Sequence, residues 1–134
     1  MANVTQSPRV LIVDDEALLS WALAEHLRSA GYAVETASTA KEALEAFQRG
    51  ANGGDPFDAV LLDYRLPDFD GTLPLLADFR TRAPKLAVLM MSAYGTPELI
   101  QQATEQGAVE FFSKPFEYDD VVAELARHIP PPGC

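Results

Sequence analysis

The sequence predicts a doubly wound α/β fold, in which one five-stranded parallel sheet lies between two layers of helices. Short apolar runs, which are typical of strands covered on both faces, occur at residues 9–13, 59–62 and 86–91. Segments with apolar residues at helical spacing lie between these runs. Because strands that alternate with helices pair in parallel through right-handed crossovers, the alternation predicts helices on both faces of the sheet.

Two weaker strand candidates, at residues 32–36 and 109–113, bring the number of predicted strands to five. Each strand is followed by a stripe of apolar residues at helical spacing, and the stripes begin at Leu19, Ala40, Leu73, Leu99 and Val121. The sequence therefore predicts five consecutive strand–helix units.

Polar residues mark several of the helix boundaries. Thr39 followed by Glu42 predicts a capping box, and Thr96 before Pro97 predicts a second helix start. The glycine-rich segment 51–56 separates the second helix from the third strand, and we expect it to be a surface loop.

Length and charge restrict the domain organisation and the partners. A chain of 134 residues with 48% apolar residues suits one globular domain. We expect this domain to span residues 9–129, with a loose tail at 1–8 and a linker start or C-terminal tail at 130–134. The formal net charge of −10 repels phosphodiester backbones, so we expect no direct binding of nucleic acid by this domain.

The same composition favours a cytoplasmic location without membrane contact. Cys134 is the single cysteine and has no partner for an internal disulfide. No apolar run approaches the roughly 20 residues that a membrane-spanning helix needs. Residues 1–8 lack the basic and apolar regions of a signal peptide.

Polar residues gather where the predicted strands end, which is where open parallel sheets bind ligands. These residues are Asp14, Asp15, Glu16, Asp63, Ser92 and Lys114. Each has an ordinary structural explanation by itself, such as a helix cap, a turn residue or a solvated charge. Carboxylates that meet without a neutralising partner raise one another's pKa, so their joint placement predicts a bound cation.

Oxygen ligands select Mg²⁺ or Ca²⁺, and a site with few protein oxygens favours Mg²⁺, which keeps several waters and bridges to phosphate. The arrangement also suits phosphoryl transfer. An aspartate can act as the nucleophile and form an acyl phosphate, while the cation and a lysine neutralise charge on the phosphoryl oxygens.

Four motifs in order resemble the receiver domains of two-component response regulators: VDDE at 13–16, LLDYRLPDFDG at 61–71, MSAYG at 91–95 and FFSKPF at 111–116. The sequences of the second and third motifs are especially similar to those of receivers attached to AAA+ transcription activators of the nitrogen-regulation type. The resemblance implies a (βα)5 flavodoxin-like three-layer sandwich. It also implies a phosphorylation-dependent signalling switch whose only chemistry is its own phosphorylation and dephosphorylation.

Carried over by position, the resemblance identifies Asp63 as the phosphoacceptor. It implies that Asp14 and Asp15 form the acid pair that holds Mg²⁺, with Asp15 as the direct ligand and Asp14 acting through water. The backbone carbonyl of Arg65 would complete the metal site.

The resemblance also assigns the residues that respond to the phosphoryl group. Ser92 is similar to the switch hydroxyl, and Lys114 to the lysine that contacts the phosphoryl group, with Pro115 following through a cis peptide. Phe111 falls at the switch aromatic, where tyrosine is common. A plain core aromatic is the alternative explanation for Phe111. Residues 66–71 match a structural turn, in which we expect Asp70 to cap the next helix.

The implied partner is a sensor histidine kinase or a phosphotransfer protein, docking beside the helix at 17–29. The implied output face is residues 96–112, which in such domains can mediate homodimerisation. From there the signal would reach a partner or an attached effector domain.

Two other classes of protein remain as alternatives. Phosphatases of the haloacid dehalogenase type also use a nucleophilic aspartate with Mg²⁺, but they place an acid where Arg65 stands. A binding module is the other class, either a pseudo-receiver or a flavodoxin-like cofactor binder. Acids at 14–16 occupy the place of the glycine-rich phosphate loop that a nucleotide-type cofactor would need.

Overall fold

The apolar runs of the sequence form the strands of one parallel sheet in the computed structural model, which describes residues 7–132. Along the chain the strands are β1 (Arg9–Val13), β2 (Ala33–Ala37), β3 (Ala59–Asp63), β4 (Arg65–Leu66), β5 (Phe69–Asp70), β6 (Ala87–Ser92) and β7 (Ala108–Ser113). The main sheet has five strands in the order β2-β1-β3-β6-β7, and every neighbouring pair is parallel. The predicted fold class is confirmed.

Five helices connect these strands. They are α1 (Ala17–Ser29), α2 (Ala40–Asn52), α3 (Leu73–Arg82), α4 (Pro97–Glu105) and α5 (Tyr118–His128). None of the helices within residues 7–132 has both the length and the apolar character needed to cross a membrane.

The sheet separates two apolar cores because successive side chains of a strand point to opposite faces. In β1, Leu11 and Val13 belong to the core beneath α2 and α3, whereas Val10 and Ile12 belong to the core beneath α1 and α5. The central strands β1, β3 and β6 are buried almost throughout, whereas the edge strands β2 and β7 are partly exposed. This exposure explains why the apolar pattern of the two edge strands is weaker.

The predicted helix caps form, with one rearrangement. Thr39 Oγ1 accepts a hydrogen bond from the backbone N–H of Glu42 (3.0 Å), and Thr96 Oγ1 accepts one from Leu99 (3.1 Å). The Glu42 carboxylate accepts from the N–H of Ser38 (2.9 Å) instead of completing the reciprocal half of the box at Thr39. Residues adjacent in sequence therefore accept only some of the hydrogen bonds that the backbone N–H groups in the first turn of α2 can donate.

Two local predictions are wrong. Helix α2 continues to Asn52, so the connection to β3 covers residues 53–58 and does not begin at residue 51. Residues 65–70 form the antiparallel hairpin β4–β5, which places Asp70 in a strand. The N-cap position of α3 is occupied by Thr72, whose hydroxyl donates to the backbone carbonyl of Asp63 (2.9 Å). Asp70 therefore does not cap this helix.

Both ends of the described chain contact the domain. The carbonyl of Pro8 accepts a hydrogen bond from the N–H of Ala33 (3.0 Å). At the other end, Pro131 is buried beside Gly31, whose φ of +106° suits the turn that follows α1. Residues 1–6 of the expected N-terminal tail, and 133–134 of the expected linker or C-terminal tail, lie outside the described residues.

Candidate functional site

The candidate site lies at the carboxyl ends of the central strands. Asp14 directly follows β1, and Asp63 is the last residue of β3. Ser92 ends β6, and Lys114 directly follows β7. Parallel pairing brings these strand ends to one edge of the sheet, with Asp63 opposite Met91 and Ser92 opposite Ser113.

Lys114 joins three carboxylates from two distant parts of the sequence, the turn after β1 and the end of β3. Its Nζ donates to Asp14 Oδ2 (2.8 Å), Asp63 Oδ2 (3.0 Å) and Glu16 Oε1 (2.6 Å). The Lys114 side chain is only 10% exposed, so water screens these contacts weakly. One ammonium does not neutralise three carboxylates, and the cluster therefore keeps an excess of negative charge.

Glu16 is also a member of this cluster, although the sequence predicted only its place among the polar residues at the strand ends and no metal-binding or catalytic role. Its backbone N–H donates to Asp14 Oδ1 (2.9 Å), while its carboxylate accepts from Lys114. Together Asp14, Glu16 and Asp63 offer carboxylate oxygens that lie within 4.8 Å of one another. The run of three acids after β1 was the available signal, since a turn after a strand can direct any of the three towards the site.

The surroundings disfavour the charged form of Asp63 and favour the charged form of Lys114. Burial, followed by the negative charge of Asp14, raises the pKa of Asp63 from 3.8 to about 6, although Lys114 opposes this shift. Burial by itself lowers the pKa of Lys114, but hydrogen bonds to Asp14 and Glu16 and the charge of Asp63 raise it above its ordinary value. Lys114 is therefore charged at neutral pH, and Asp63 takes up a proton near pH 6.

Asp15 and Arg65 lie beside the cluster. Asp15 is exposed, and it is not one of the three carboxylates that meet within 4.8 Å. It lines a cavity of about 320 Å³ together with Asp63, Arg65 and Lys114. The backbone N–H of Arg65 makes a long contact of 3.5 Å with Asp63 Oδ1. The metal-binding roles of Asp15 and of the Arg65 carbonyl stay predictions.

Ser92 lines the same cavity and is 3% exposed. Its Oγ accepts a hydrogen bond from the backbone N–H of Tyr94 (3.1 Å), while its carbonyl accepts from the N–H of Lys114 (2.8 Å). Ser92 and Asp63 thus line the same cavity at the edge of the sheet. The peptide bond between Lys114 and Pro115 is cis.

Phe111 is half-buried and packs against the core beneath α2 and α3. Its ring occupies the space beside Gly95, where an added Cβ would lie 2.8 Å from Phe111 Cε1 and 2.7 Å from Ser113 Oγ. The observed ring position therefore depends on the absence of a side chain at residue 95. This dependence was not visible in the sequence, since residues 95 and 111 lie on different elements.

Comparisons with known proteins agree in pointing to one family. A family model for the response regulator receiver domain matches residues 10–126. The DNA-binding transcriptional regulator NtrC of Escherichia coli K12 is 35% identical over 120 residues, which cover 90% of this chain and 24% of NtrC. The chain therefore spans about a quarter of the length of this curated relative.

Solved structures with the same fold include receiver domains. The non-phosphorylated HemR receiver domain from Leptospira biflexa superposes with a TM-score of 0.80 at 34% identity, covering 91% of this chain and 94% of that chain. A chain from the CheX–CheY–BeF3–Mg²⁺ complex of Borrelia burgdorferi has a TM-score of 0.80 at 27% identity, covering 90% and 87% respectively.

Proposed function

The chain belongs to the response regulator receiver domain family, whose members are phosphorylation-dependent signalling switches, and on this premise we propose that Asp63 accepts the phosphoryl group. The observation that carries the proposal is the contact of Lys114 Nζ with both Asp14 and Asp63 at the carboxyl edge of the sheet. A nucleophilic carboxylate is thereby placed beside a fixed positive charge. Phosphoryl transfer depends mainly on such positioning and charge stabilisation.

The residues at this edge fit Mg²⁺. Asp14, Asp15 and Asp63 would supply carboxylate oxygens, and Arg65 would supply its backbone carbonyl. Hard oxygen ligands and an uncompensated negative charge are the features that Mg²⁺ requires. The similar Borrelia CheY complex contains Mg²⁺, which supports the same ion here. When bound, Mg²⁺ neutralises charge on the phosphoryl oxygens.

The chain's own residues divide the remaining work. An Asp63 carboxylate oxygen forms a bond to phosphorus while the bond between phosphorus and the donor atom breaks, which yields an acyl phosphate. Lys114, 3.0 Å from Asp63 Oδ2, pairs with a phosphoryl oxygen. The Ser92 hydroxyl donates to another phosphoryl oxygen. No general base is needed, because Asp63 is ionised above its pKa of about 6.

The phosphoryl donor we propose is a sensor histidine kinase or a phosphotransfer protein. On α1, Leu18 is 82% exposed and Trp21 is 64% exposed, which suits a docking surface beside the site. Phosphorylation would bias a two-state equilibrium that involves Ser92, Phe111 and the face at 96–112. We propose this face for output to an effector domain or for homodimerisation.

The alternative functions have less support. The site has Arg65 where a phosphatase of the haloacid dehalogenase type needs a second acid, and a guanidinium cannot act as the general acid. A pseudo-receiver would lack reactive groups, whereas Asp63, Ser92 and Lys114 are all present at the strand ends.

Beryllofluoride, a phosphoryl mimic, tests the proposed function. With Mg²⁺ present, wild type is expected to give a saturable change in the fluorescence of Trp21, which is the single tryptophan. Asp63→Asn is expected to give none, because the coordinating carboxylate is lost. An equal response of both proteins, or steady release of phosphate from a phosphate monoester by wild type, would contradict the proposal.

A substitution at Gly95 tests whether Phe111 is a switch. Gly95→Ala places a Cβ within 2.8 Å of the Phe111 ring and destabilises the observed ring position. If the ring leaves this position on activation, the apparent affinity for beryllofluoride rises about three- to tenfold, as overpacking by about 1 kcal/mol implies. The double variant Gly95→Ala/Phe111→Leu removes the clash with the ring and keeps the one with Ser113 Oγ. It is expected to have the affinity of Phe111→Leu, which would assign the gain to the ring and not to Ser113. Reduced stability without any gain in affinity would show that Phe111 is a plain core aromatic.

A further inference from the structure

Asp68 connects the loop after the phosphoacceptor to the beginning of α2. It lies in the two-residue connection between β4 and β5. Its Oδ1 accepts a hydrogen bond from the backbone N–H of Ala40 (2.8 Å), and its Oδ2 accepts one from Lys41 (3.0 Å). Both carboxylate oxygens are thus engaged by a helix whose sequence position is 27 to 28 residues away.

These contacts complete the cap of α2. Thr39 serves only the N–H of Glu42 on the first turn, and it leaves the N–H groups of Ala40 and Lys41 for another acceptor. Asp68 supplies that acceptor, and its negative charge is favourable at a helix N-terminus. The hydrogen bonds from Ala40 and Lys41 lower the pKa of Asp68, so the carboxylate stays ionised at neutral pH.

The same hairpin is fixed to β3 at its base. Thr72, which is fully buried, donates its hydroxyl to the carbonyl of Asp63 (2.9 Å) and its N–H to the carbonyl of Tyr64 (2.9 Å). Leu66 in β4 is 6% exposed and packs in the core beneath α2 and α3. Arg65 therefore lies in a segment that is held at its base by Thr72 and at its tip by Asp68.

The start of α2 is connected in turn to the acid pair. The backbone N–H of Asp14 donates to the carbonyl of Ala37 (3.0 Å), which is the last residue of β2, just before α2. The contacts thus form a ring. It runs from Asp14 to the start of α2, from there to Asp68, through the hairpin to Asp63, and through Lys114 back to Asp14. The Asp68 side chain makes the contact between the hairpin and α2.

From this ring we infer that Asp68 is a positioning residue that sets the Arg65 carbonyl relative to Asp14 and Asp15. The inference rests on the proposed function, because it takes that carbonyl and those acids as ligands of Mg²⁺. Without Asp68, the tip of the hairpin would lose its attachment to α2. The carbonyl would then be less well ordered for the metal, as happens when groups that orient a metal ligand are removed.

Titration with Mg²⁺, followed by the fluorescence of Trp21, tests this inference. Trp21 lies in a cleft with Asp14 and Asp15 and is expected to respond to the ion. Asp68→Ala is expected to raise the Kd for Mg²⁺ about tenfold, the low end of what such orienting groups contribute. Asp68→Asn keeps one acceptor oxygen and is expected to show a smaller increase; it also serves if the alanine variant does not fold.

Asp70→Asn is the matched control, because it removes the same charge from an exposed position of the same hairpin. Its Kd is expected to stay within about twofold of wild type, since weak long-range electrostatics alone would change. Amide hydrogen exchange at Ala40 and Lys41 gives a readout that does not require the metal, and it should accelerate only in the Asp68 variants.

The outcomes separate the inference from its premise. Faster exchange in Asp68→Ala with a Kd equal to that of Asp70→Asn would overturn the inference, because Asp68 would then only cap the helix. Failure of wild type to bind Mg²⁺ at all would overturn the proposed metal site, and the positioning role with it.

Discussion

Metal-free Asp63→Asn is expected to be more stable than wild type by about 2 kcal/mol at neutral pH, even though it cannot be phosphorylated. The Asp63 carboxylate is buried beside Asp14, and this environment raises its pKa to about 6. Asparagine has a similar shape and carries no charge, so it removes the repulsion. Urea denaturation curves of the two proteins, recorded under the same conditions with a chelator, give the difference in the free energy of unfolding.

The pH dependence of this difference in stability identifies its cause. Asp63 has a pKa of about 6 in the folded protein and an ordinary value of 3.8, so between these values the folded state holds a proton that the unfolded state has released. Wild-type stability from this group therefore falls as the pH rises from 3.8 to about 6, and the full penalty is present above that range. The advantage of Asp63→Asn should shrink towards zero as the pH falls through the same window.

Asp70→Asn again serves as the control, because it removes an exposed carboxylate from the neighbouring hairpin. Its stability is expected to stay within about 0.5 kcal/mol of wild type, as is usual for surface substitutions. An Asp63→Asn protein that is no more stable than wild type at neutral pH would contradict the proposed electrostatic strain.

Lys114→Ala is expected to have the opposite effect and to lower the metal-free stability by about 3 kcal/mol at neutral pH. The ammonium is the partner of Asp14, whose side chain is fully buried, and of Asp63, whose side chain is 9% exposed. Its removal leaves two buried carboxylates without a cation. Mg²⁺ is expected to restore part of the lost stability by binding the same oxygens, and the Trp21 response to beryllofluoride is expected to be mostly lost.

Lys85→Ala is the matched control, since Lys85 is exposed and its removal changes the net charge equally. Chemical denaturation of both variants, with and without Mg²⁺, measures the difference. A Lys114→Ala protein as stable as Lys85→Ala would show that the buried contacts of Lys114 contribute little. An undiminished beryllofluoride response would remove Lys114 from the mechanism.

The sequence predicts the sheet well because the central strands are buried on both faces. That burial demands continuous apolar runs, such as residues 59–62, and such runs end where the chain reaches the polar edge. Asp63 and Ser92 could be placed at this edge because each directly follows such a run. Asp14 follows the run at 9–13 in the same way, whereas Lys114 follows the weaker strand candidate at 109–113.

The features that sequence reasoning missed depend on contacts between distant residues. The hairpin β4–β5 has strands of two residues, too short for any alternation of apolar and polar residues to be detected. Asp68 caps a helix that precedes it by 27 to 28 residues, whereas capping signals in a sequence are local. A local signal also misled at Asp70, which stands just before α3 and was expected to cap it, whereas the hairpin places it in a strand.

The composition of the acid cluster had a similar limit. The sequence places Asp14, Asp15 and Glu16 in one turn, but the direction of each side chain depends on the backbone of that turn. The backbone N–H of Glu16 bonds to Asp14 Oδ1, and this local contact allows the Glu16 carboxylate to reach Lys114. Asp15 remains exposed beside the cavity, where a bound ion could still recruit it.

Borohydride reduction after treatment with acetyl phosphate and Mg²⁺ tests the central claim most directly, because it converts an aspartyl phosphate to homoserine at the modified position. Peptide mass spectrometry is expected to find homoserine at position 63 in wild type, and at no position when Mg²⁺ is withheld. Homoserine at a different residue, or its absence from position 63 despite Mg²⁺, would contradict the assignment of Asp63 as the phosphoacceptor.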